Sequence, residues 1–374
     1  MMLPGSYPQC MAQELEQRWQ QLVAYFHKQG QADKLKACKT DFLAQLFTTW
    51  SGSDFVAEAF TRYPEYLLYF YTLFQTNGFV LTDLAHHQNE LSQWLKHVHS
   101  EESLMKQLRR YRNREMIRII WQDLNRLVSL QEITRDLSAL ANACLEHALT
   151  WLYKNLTATL GTPVGGAFGE ESAPQQLVII GMGKLGADEL NMSSDIDLLF
   201  AYPHQGETTG GPRVLTNQEF FIRLGQRLIK VLETRTAEGF VFRVDMRLRP
   251  YGDSGPLVMS FSAMEQYYQD QGRDWERYAM IKAQIVAGDK SQGNMLLVKL
   301  KPFVYRRYID FSVITSLRDM KKLIEREVKR KGMESNIKLG PGGIREIEFI
   351  TQSFQLIHGG KDRHLQKRAL LDVL

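Results

Sequence analysis

The hydrophobic pattern changes its period twice along the chain. Over 1–160, apolar residues recur every three or four positions, as in the 15–26 segment, which is the spacing of an amphipathic helix. Over 161–290, short apolar runs such as 177–183 alternate with glycine-rich loops and indicate buried strands. Helical spacing returns over 291–374. The pattern predicts an α+β protein whose central mixed region lies between two helical ones.

Helix starts and a further strand can be placed within the central and later regions. Thr216 with Glu219, and Ser262 with Glu265, have the spacing of a capping box and predict two helix starts, the first helix reaching about Glu233. The 239–250 segment, GFVFRVDMRLRP, alternates between apolar and polar residues and predicts a strand.

Composition narrows the class of protein. The chain has 374 residues, 44% apolar and 24% charged, with a net charge of +4, which is too mild to support nucleic-acid binding. Its three cysteines are isolated, so neither a disulfide framework nor a zinc site is supported. The N-terminus lacks the features of a signal peptide, and no apolar run reaches the length of a membrane span. We expect a cytoplasmic protein with no membrane or nucleic-acid partner.

Three glycines follow the 177–180 apolar run with the GxGxxG spacing of a dinucleotide-binding loop: Gly181, Gly183 and Gly186. Only residues 184–194 separate this loop from the next predicted strand, and Asn191 and two serines interrupt any helix there. A parallel crossover needs about 10–12 residues including a full helix. No acidic residue stands at the end of the next strand. The glycines therefore indicate a different kind of loop.

Two aspartates after the glycine loop suggest a metal site instead. Asp195 and Asp197 occupy alternate positions of a predicted strand and so share one face. Asp245 lies on the polar face of the predicted 239–250 strand. Neighbouring carboxylates repel unless a cation lies between them, and Mg²⁺ prefers carboxylate oxygens together with substrate phosphates. The three residues predict a catalytic Mg²⁺ site for phosphoryl or nucleotidyl transfer.

Groups suited to phosphate binding surround the predicted metal site. Glycine N–H groups and serine hydroxyls can approach phosphate oxygens closely, and guanidinium groups bind them in a bidentate manner. Lys184 either contacts phosphate or caps the short helical segment, and Glu346 either reaches the site from the later helical region or caps its own helix. The predicted phosphate-binding and nucleotide-binding residues are Gly181, Gly183, Lys184, Ser193, Ser194, Arg247, Arg249 and Glu346.

Four long motifs, at 181–200, 244–258, 272–289 and 337–352, occur in the order found in one family. The first reads GMGKLGADELNMSSDIDLLF and the last IKLGPGGIREIEFITQ. They resemble the bifunctional glutamine synthetase adenylyltransferase/adenylyl-removing enzymes of the nucleotidyltransferase superfamily. The ELNMSSDIDLLF form resembles the N-terminal, adenylyl-removing half, and the chain looks like an N-terminal fragment of a longer protein.

The resemblance implies a nucleotidyltransferase palm between a large N-terminal helical domain and a C-terminal helical bundle that the chain does not complete. It implies phosphorolytic removal of AMP from a tyrosine of glutamine synthetase, with phosphate consumed and ADP released. It also implies Asp195, Asp197 and Asp245 as Mg²⁺ ligands, and adenylylated glutamine synthetase and a PII-type nitrogen-signal protein as partners. Two alternatives remain open: a regulatory module that binds the signal protein, and adenylyl transfer from ATP by this same half.

Overall fold

The computed structural model describes residues 7–76, 79, 81–166, 171–307, 311–333 and 335–374. The helical spacing of the first 160 residues is confirmed by a series of helices: α1 (Gln9–Lys28), α2 (Ala32–Lys36), α3 (Thr40–Gly52), α4 (Asp54–Arg62), α5 (Tyr66–Gln75), α6 (Leu84–Leu95), α7 (Glu101–Leu124) and α8 (Leu130–Leu160). None of the helices in the described ranges is long and apolar enough to cross a membrane.

Short strands and helices alternate in the middle of the chain. The strands are β1 (Thr162–Gly165), β2 (Ala173–Pro174), β3 (Val178–Gly181), β4 (Ile196–Tyr202), β5 (Glu207–Thr209), β6 (Val244–Asp245), β7 (Val258–Ser260) and β8 (Gln284–Gly288). The helices are α9 (Gly183–Gly186), α10 (Asn217–Glu233), α11 (Phe261–Asp270) and α12 (Asp274–Met280). The last helices are α13 (Lys290–Val304), α14 (Phe311–Arg330) and α15 (Ile344–His358), and 3₁₀ turns lie at Gly252–Ser254, Arg363–Leu365 and Leu370–Asp372.

Two compact units divide the chain, the first formed by Met1–Asn89 with Arg110–Leu140 and the second by Glu90–Arg109 with Ala141–Leu374. Because α6, α7 and α8 each run from one unit into the other, the helices before residue 160 contribute to both. The three-part division at residues 160 and 290 stays a prediction.

An aromatic cluster forms the core of the first unit. The Trp121 ring stacks on Phe70 with centroids 5.9 Å apart and on Phe42 at 5.4 Å, and all three side chains are fully buried. Such pairs add to the free energy gained by burying the rings. These aromatic residues of α3, α5 and α7 therefore serve packing.

The second unit is built around a mixed sheet with the strand order β6-β4-β3-β8, and β7 also pairs with β4. β3 is antiparallel to both β4 and β8, whereas β4 is parallel to β6 at one end and to β7 at the other. β4 is therefore an internal strand, as its apolar flanks predicted. A mixed sheet with surrounding helices confirms the predicted α+β class. A smaller antiparallel sheet has the order β2-β1-β5.

The first capping box is confirmed, and the second is misplaced. The Thr216 hydroxyl accepts the Glu219 N–H at 3.2 Å, the Glu219 carboxylate accepts the Thr216 N–H at 2.9 Å, and α10 ends at Glu233 as predicted. For α11, Ser260 is the N-cap and accepts the Ala263 N–H at 3.3 Å. The helix begins directly after β7, so Ser262 already lies inside its first turn.

The strand predicted over 239–250 is wrong in extent, because only Val244–Asp245 pairs with β4. After Asp245 the chain turns: the Asp245 carboxylate accepts the Arg247 N–H at 2.9 Å, and Arg249 Nη1 donates to the Met246 carbonyl at 2.9 Å. The same alternating pattern is compatible with a turn that side-chain hydrogen bonds stabilise. The local pattern alone therefore does not distinguish this turn from a strand.

Candidate active site

Asp197 and Asp245 are the central pair of the candidate site. The parallel pairing of β4 with β6 makes them register partners, one residue after the partners Ile196 and Val244. Neighbouring strands lie about 4.8 Å apart, so partner side chains leave the sheet side by side on one face. Asp195 immediately precedes β4, and its charge acts on the Asp197 carboxylate. The structure thus brings Asp245 to Asp197, 48 positions earlier in the sequence.

The turn between β3 and α9 fits closely against Asp197. Gly183 has a φ of +53°, and a Cβ at this position would lie 2.5 Å from the Asp197 Oδ2 atom. Only glycine combines that backbone conformation with that approach. The Met182 N–H donates to the Asp197 carbonyl at 2.9 Å and ties the turn to the start of β4.

The other two glycines of the GxGxxG spacing serve packing. A Cβ at Gly181 would lie 2.6 Å from Val286 Cγ1, and one at Gly186 would lie 2.0 Å from the Lys282 carbonyl oxygen. The adjacent strands β3 and β4 are antiparallel, so they do not form the parallel crossover of a dinucleotide fold. The exclusion of a dinucleotide loop is confirmed, and Gly183 is the glycine that faces the aspartates.

The charge at Asp197 is poorly compensated. Burial raises the pKa of Asp197 to about 6, and the carboxylates of Asp245 and Asp195 act in the same direction. Among the described residues, no side chain or backbone group donates a hydrogen bond to the Asp197 carboxylate. By contrast, the hydrogen bonds from Arg247 hold the pKa of Asp245 below its usual value. The site therefore favours an added positive charge beside Asp197.

Arginines hold the two outer carboxylates. Arg247 donates several hydrogen bonds to the Asp245 carboxylate. Its Nε lies 2.9 Å from Oδ2 and 3.0 Å from Oδ1, and its Nη2 lies 2.5 Å from Oδ2. Arg243 donates to the Asp195 carboxylate and, at 2.6 Å, to the Ser193 carbonyl. Arg249 instead braces the following turn, at 3.4 Å from the Asp253 carboxylate. Of the two arginines predicted to bind phosphate, Arg247 alone touches one of the three aspartates.

The remaining predicted residues have different surroundings. Ser193 contributes its carbonyl to Arg243, and the Ser194 hydroxyl bonds the Asn191 side chain, so both serines shape the loop before β4. Glu346 accepts the Gly342 N–H at 2.6 Å and pairs with Lys321 at 3.1 Å. These are the contacts of a residue that caps the start of α15. Glu346 makes no contact with the three aspartates, and its role in nucleotide binding stays a prediction.

Lys184 lies next to Gly183 and acts electrostatically on Asp197, whose pKa its charge lowers. In the described part of the chain its ammonium group makes no ion pair and donates no hydrogen bond. Burial, together with the charge of Lys338, lowers the pKa of Lys184, while Glu348 and Glu189 oppose this. Lys184 is thus a half-buried cation beside the carboxylate site.

Lys282, which lies in the third family motif, belongs to a charged cluster beside this turn. Lys282 is only 5% exposed, and its ammonium group pairs with Glu189 at 3.3 Å and with Glu348. Glu189 follows α9, Lys282 precedes β8 and Glu348 lies in α15. Three elements distant in sequence meet there, so no local spacing indicates the cluster.

The donor chemistry of the site fits Mg²⁺, which prefers carboxylate oxygens. Within the described ranges, no group of three or more histidine, cysteine, aspartate or glutamate side chains is already arranged around a metal position. Two of the three carboxylates are paired with guanidinium groups, Asp195 with Arg243 and Asp245 with Arg247. A cation would compete with these guanidinium groups for Asp195 and Asp245, and Mg²⁺ stays a prediction.

Comparison with known proteins adds the family. A family model described as glutamate-ammonia ligase adenylyltransferase matches residues 43–298, and one described as GlnD PII-uridylyltransferase matches residues 318–373. The chain is similar to proteins named bifunctional glutamine synthetase adenylyltransferase/adenylyl-removing enzyme. The one from Pseudomonas aeruginosa is 56% identical over 342 residues, covering 91% of this chain and 34% of the relative.

The likeness extends to other organisms. The relative of the same name from Nitrosococcus oceani is 56% identical over 336 residues, covering 90% of this chain and 34% of the relative. The relative from Hahella chejuensis is 50% identical over 368 residues, covering 98% of this chain and 37% of the relative. The chain thus spans about a third of the length of the curated relatives it matches. The resemblance seen in the sequence is confirmed, and the chain belongs to the glutamate-ammonia ligase adenylyltransferase family.

Proposed function

We propose that this chain removes the AMP group from an adenylylated tyrosine of glutamine synthetase by phosphorolysis. An oxygen of inorganic phosphate attacks the AMP phosphorus, the bond to the tyrosine oxygen breaks, and the phenolate takes up a proton. ADP leaves, and the unmodified synthetase is regenerated. The names of the relatives include both adenylyl transfer and adenylyl removal, and the form of the 189–200 motif, which resembles the adenylyl-removing half, supports this direction.

The observation that carries the proposal is the register pairing of Asp197 with Asp245 beside Asp195. These carboxylates would hold Mg²⁺, which when bound neutralises charge on phosphate oxygens and favours attack by one of them. The Gly183 turn keeps side-chain atoms away from the Asp197 carboxylate. Lys184, and Arg247 once released from Asp245, supply positive charge for phosphate oxygens.

A product assay tests the proposal. The chain, supplied with adenylylated synthetase, phosphate and Mg²⁺, is expected to release ADP, and Asp197→Asn should abolish this release. Asp253→Asn is a matched control, because Asp253 is an exposed carboxylate on the neighbouring turn that pairs with Arg249. Full ADP release by Asp197→Asn would contradict the assignment of the site.

The same assay separates the alternative direction. If the chain instead consumes ATP in the presence of unmodified synthetase and releases pyrophosphate, then this half adenylylates rather than removes AMP. The metal chemistry is the same in both directions, so only the products distinguish them.

A second candidate function concerns the end of the chain. Residues 318–373 match the model described as GlnD PII-uridylyltransferase, which favours a surface for a PII-type signal protein in this region. Binding of such a protein without any ADP production would indicate a regulatory module. ADP production without binding would show that the signal protein is recognised elsewhere.

A further inference from the structure

The buried cluster of Lys282, Glu189 and Glu348 carries an inference that rests on the proposed function. A nearly buried ammonium group costs folding free energy unless carboxylates pair with it, and two do so here. With one cation and two carboxylates, the cluster keeps a net charge of −1. It therefore attracts any further cation within reach.

One such cation is Lys184. The Glu189 N–H donates to the Lys184 carbonyl at 2.8 Å, so the cluster and Lys184 belong to one turn. Glu189 and Glu348 both act electrostatically on the Lys184 ammonium. On its other side, Lys184 follows Gly183, whose backbone lies against the Asp197 carboxylate. Lys184 thus lies between the charged cluster and the carboxylate site.

The cluster is also held in place by the backbone. The Lys282 carbonyl lies against Gly186, where a Cβ would be only 2.0 Å away. The second carboxylate oxygen of Glu189 accepts the Leu370 N–H at 2.6 Å. Glu189 therefore cannot turn freely, and its charge stays behind the turn that carries Lys184.

We infer that Lys282 is a positioning residue that keeps Lys184 available for substrate phosphate. By neutralising part of the charge of Glu189 and Glu348, Lys282 prevents these carboxylates from capturing the Lys184 ammonium. Lys184 then extends toward the phosphate that binds beside Asp197. Loss of Lys282 leaves both carboxylates uncompensated, and their charge draws the Lys184 ammonium toward the cluster and away from the site.

The test compares variants of the whole chain in the ADP-release assay. Lys282→Met is expected to raise the phosphate KM about tenfold or more, the effect of losing one charged hydrogen bond, with a smaller change in kcat. The Kd for ADP, measured by calorimetry, should rise in parallel. Lys299→Met is the matched control, because Lys299 forms an exposed pair with Glu265 in the same unit.

Charge balance distinguishes positioning from a merely structural role. In Lys282→Met/Glu348→Gln the cluster again has a net charge of −1, so the phosphate KM should return most of the way to the wild-type value. In a Lys184→Met background, Lys282→Met should leave the phosphate KM unchanged. An equal increase in that background, or no recovery in the charge-balanced double variant, would overturn the inference.

A second substitution at the same position keeps the test decisive if Lys282→Met folds poorly. Lys282→Gln can donate to the two carboxylates without neutralising them and should give the same increase in phosphate KM. A wild-type KM for Lys282→Gln would overturn the positioning role. If the wild-type chain itself released no ADP, the proposed function would fail, and the inference with it.

Discussion

Gly183 and Asp197 are in such close contact that no side chain fits between them. A Cβ at Gly183 would lie 2.5 Å from Asp197 Oδ2, and the φ of +53° at Gly183 disfavours any other residue. Gly183, which belongs to a GxGxxG spacing in the sequence, thus leaves room for the Asp197 carboxylate of β4.

Gly183→Ala should therefore lower both stability and activity. The positive φ alone costs about 1–2 kcal/mol of unfolding free energy, and displacement of the Asp197 carboxylate should reduce ADP release further. Gly210→Ala is the matched control, because Gly210 has a φ of +76° with no atom within 4 Å of the added Cβ. The control variant should lose a similar amount of unfolding free energy through backbone strain and should keep the wild-type rate of ADP release. Equal activity of the two variants would contradict the role of this close approach.

Asp197 should make the unfolding free energy depend on pH when divalent cations are removed. Its pKa is raised to about 6 in the fold, from 3.8, so the folded chain keeps a proton that the unfolded chain has lost. The unfolding free energy contributed by this group therefore falls as the pH rises from about 4 to about 6, by about 1–3 kcal/mol. Asp197→Asn should remove this fall in denaturation curves. An unchanged pH dependence in the variant would assign the effect to another group.

Arg247 should compete with a divalent cation for Asp245. Arg247→Gln frees the Asp245 carboxylate from its bidentate partner, so the affinity for Mg²⁺ without substrate should increase, while ADP release should decrease. Calorimetric titration with Mg²⁺ measures the first effect. Arg227→Gln, an exposed change of equal charge on α10, should alter neither quantity. A fall in Mg²⁺ affinity for Arg247→Gln would show that the arginine assists cation binding.

The first unit contains a buried ion pair whose loss should be costly. Arg118 Nη2 and His87 Nε2 each lie 2.9 Å from Asp136 Oδ1, and all three side chains are buried. Asp136→Asn should lower the unfolding free energy by about 3–5 kcal/mol, because it leaves the Arg118 charge without part of its compensation. Asp33→Asn, which breaks an exposed pair with Lys36, should cost no more than about 0.5 kcal/mol.

The Asp136 carboxylate should also make the unfolding free energy fall at low pH. Burial alone would raise the pKa of Asp136, but the hydrogen bonds with His87 and Arg118 outweigh it and hold the pKa at about 2. The stabilisation from this group is therefore complete above about pH 4 and is lost as the pH falls toward 2. Acid unfolding of wild type and Asp136→Asn should converge in this range, and parallel curves would contradict the prediction.

The sequence alone predicted those features that depend on neighbours along the chain. Helical spacing, the buried strand around Ile196–Tyr202, the capping box at Thr216 and the family motifs are all local or ordered patterns, and the structure and comparisons confirm them. Asp195 and Asp197 could be proposed as a pair because they share one strand face.

Only the tertiary structure decided which distant residues meet. The register of β4 with β6 places Asp245 beside Asp197, and three separate elements bring Lys282 between Glu189 and Glu348. The roles of Arg247 and Arg249 also diverged, because the chain turns after Asp245 where the alternating pattern had predicted a strand. Residue spacing carries the period of a helix or strand, whereas pairing register and ion-pair partners depend on contacts between segments far apart in the chain.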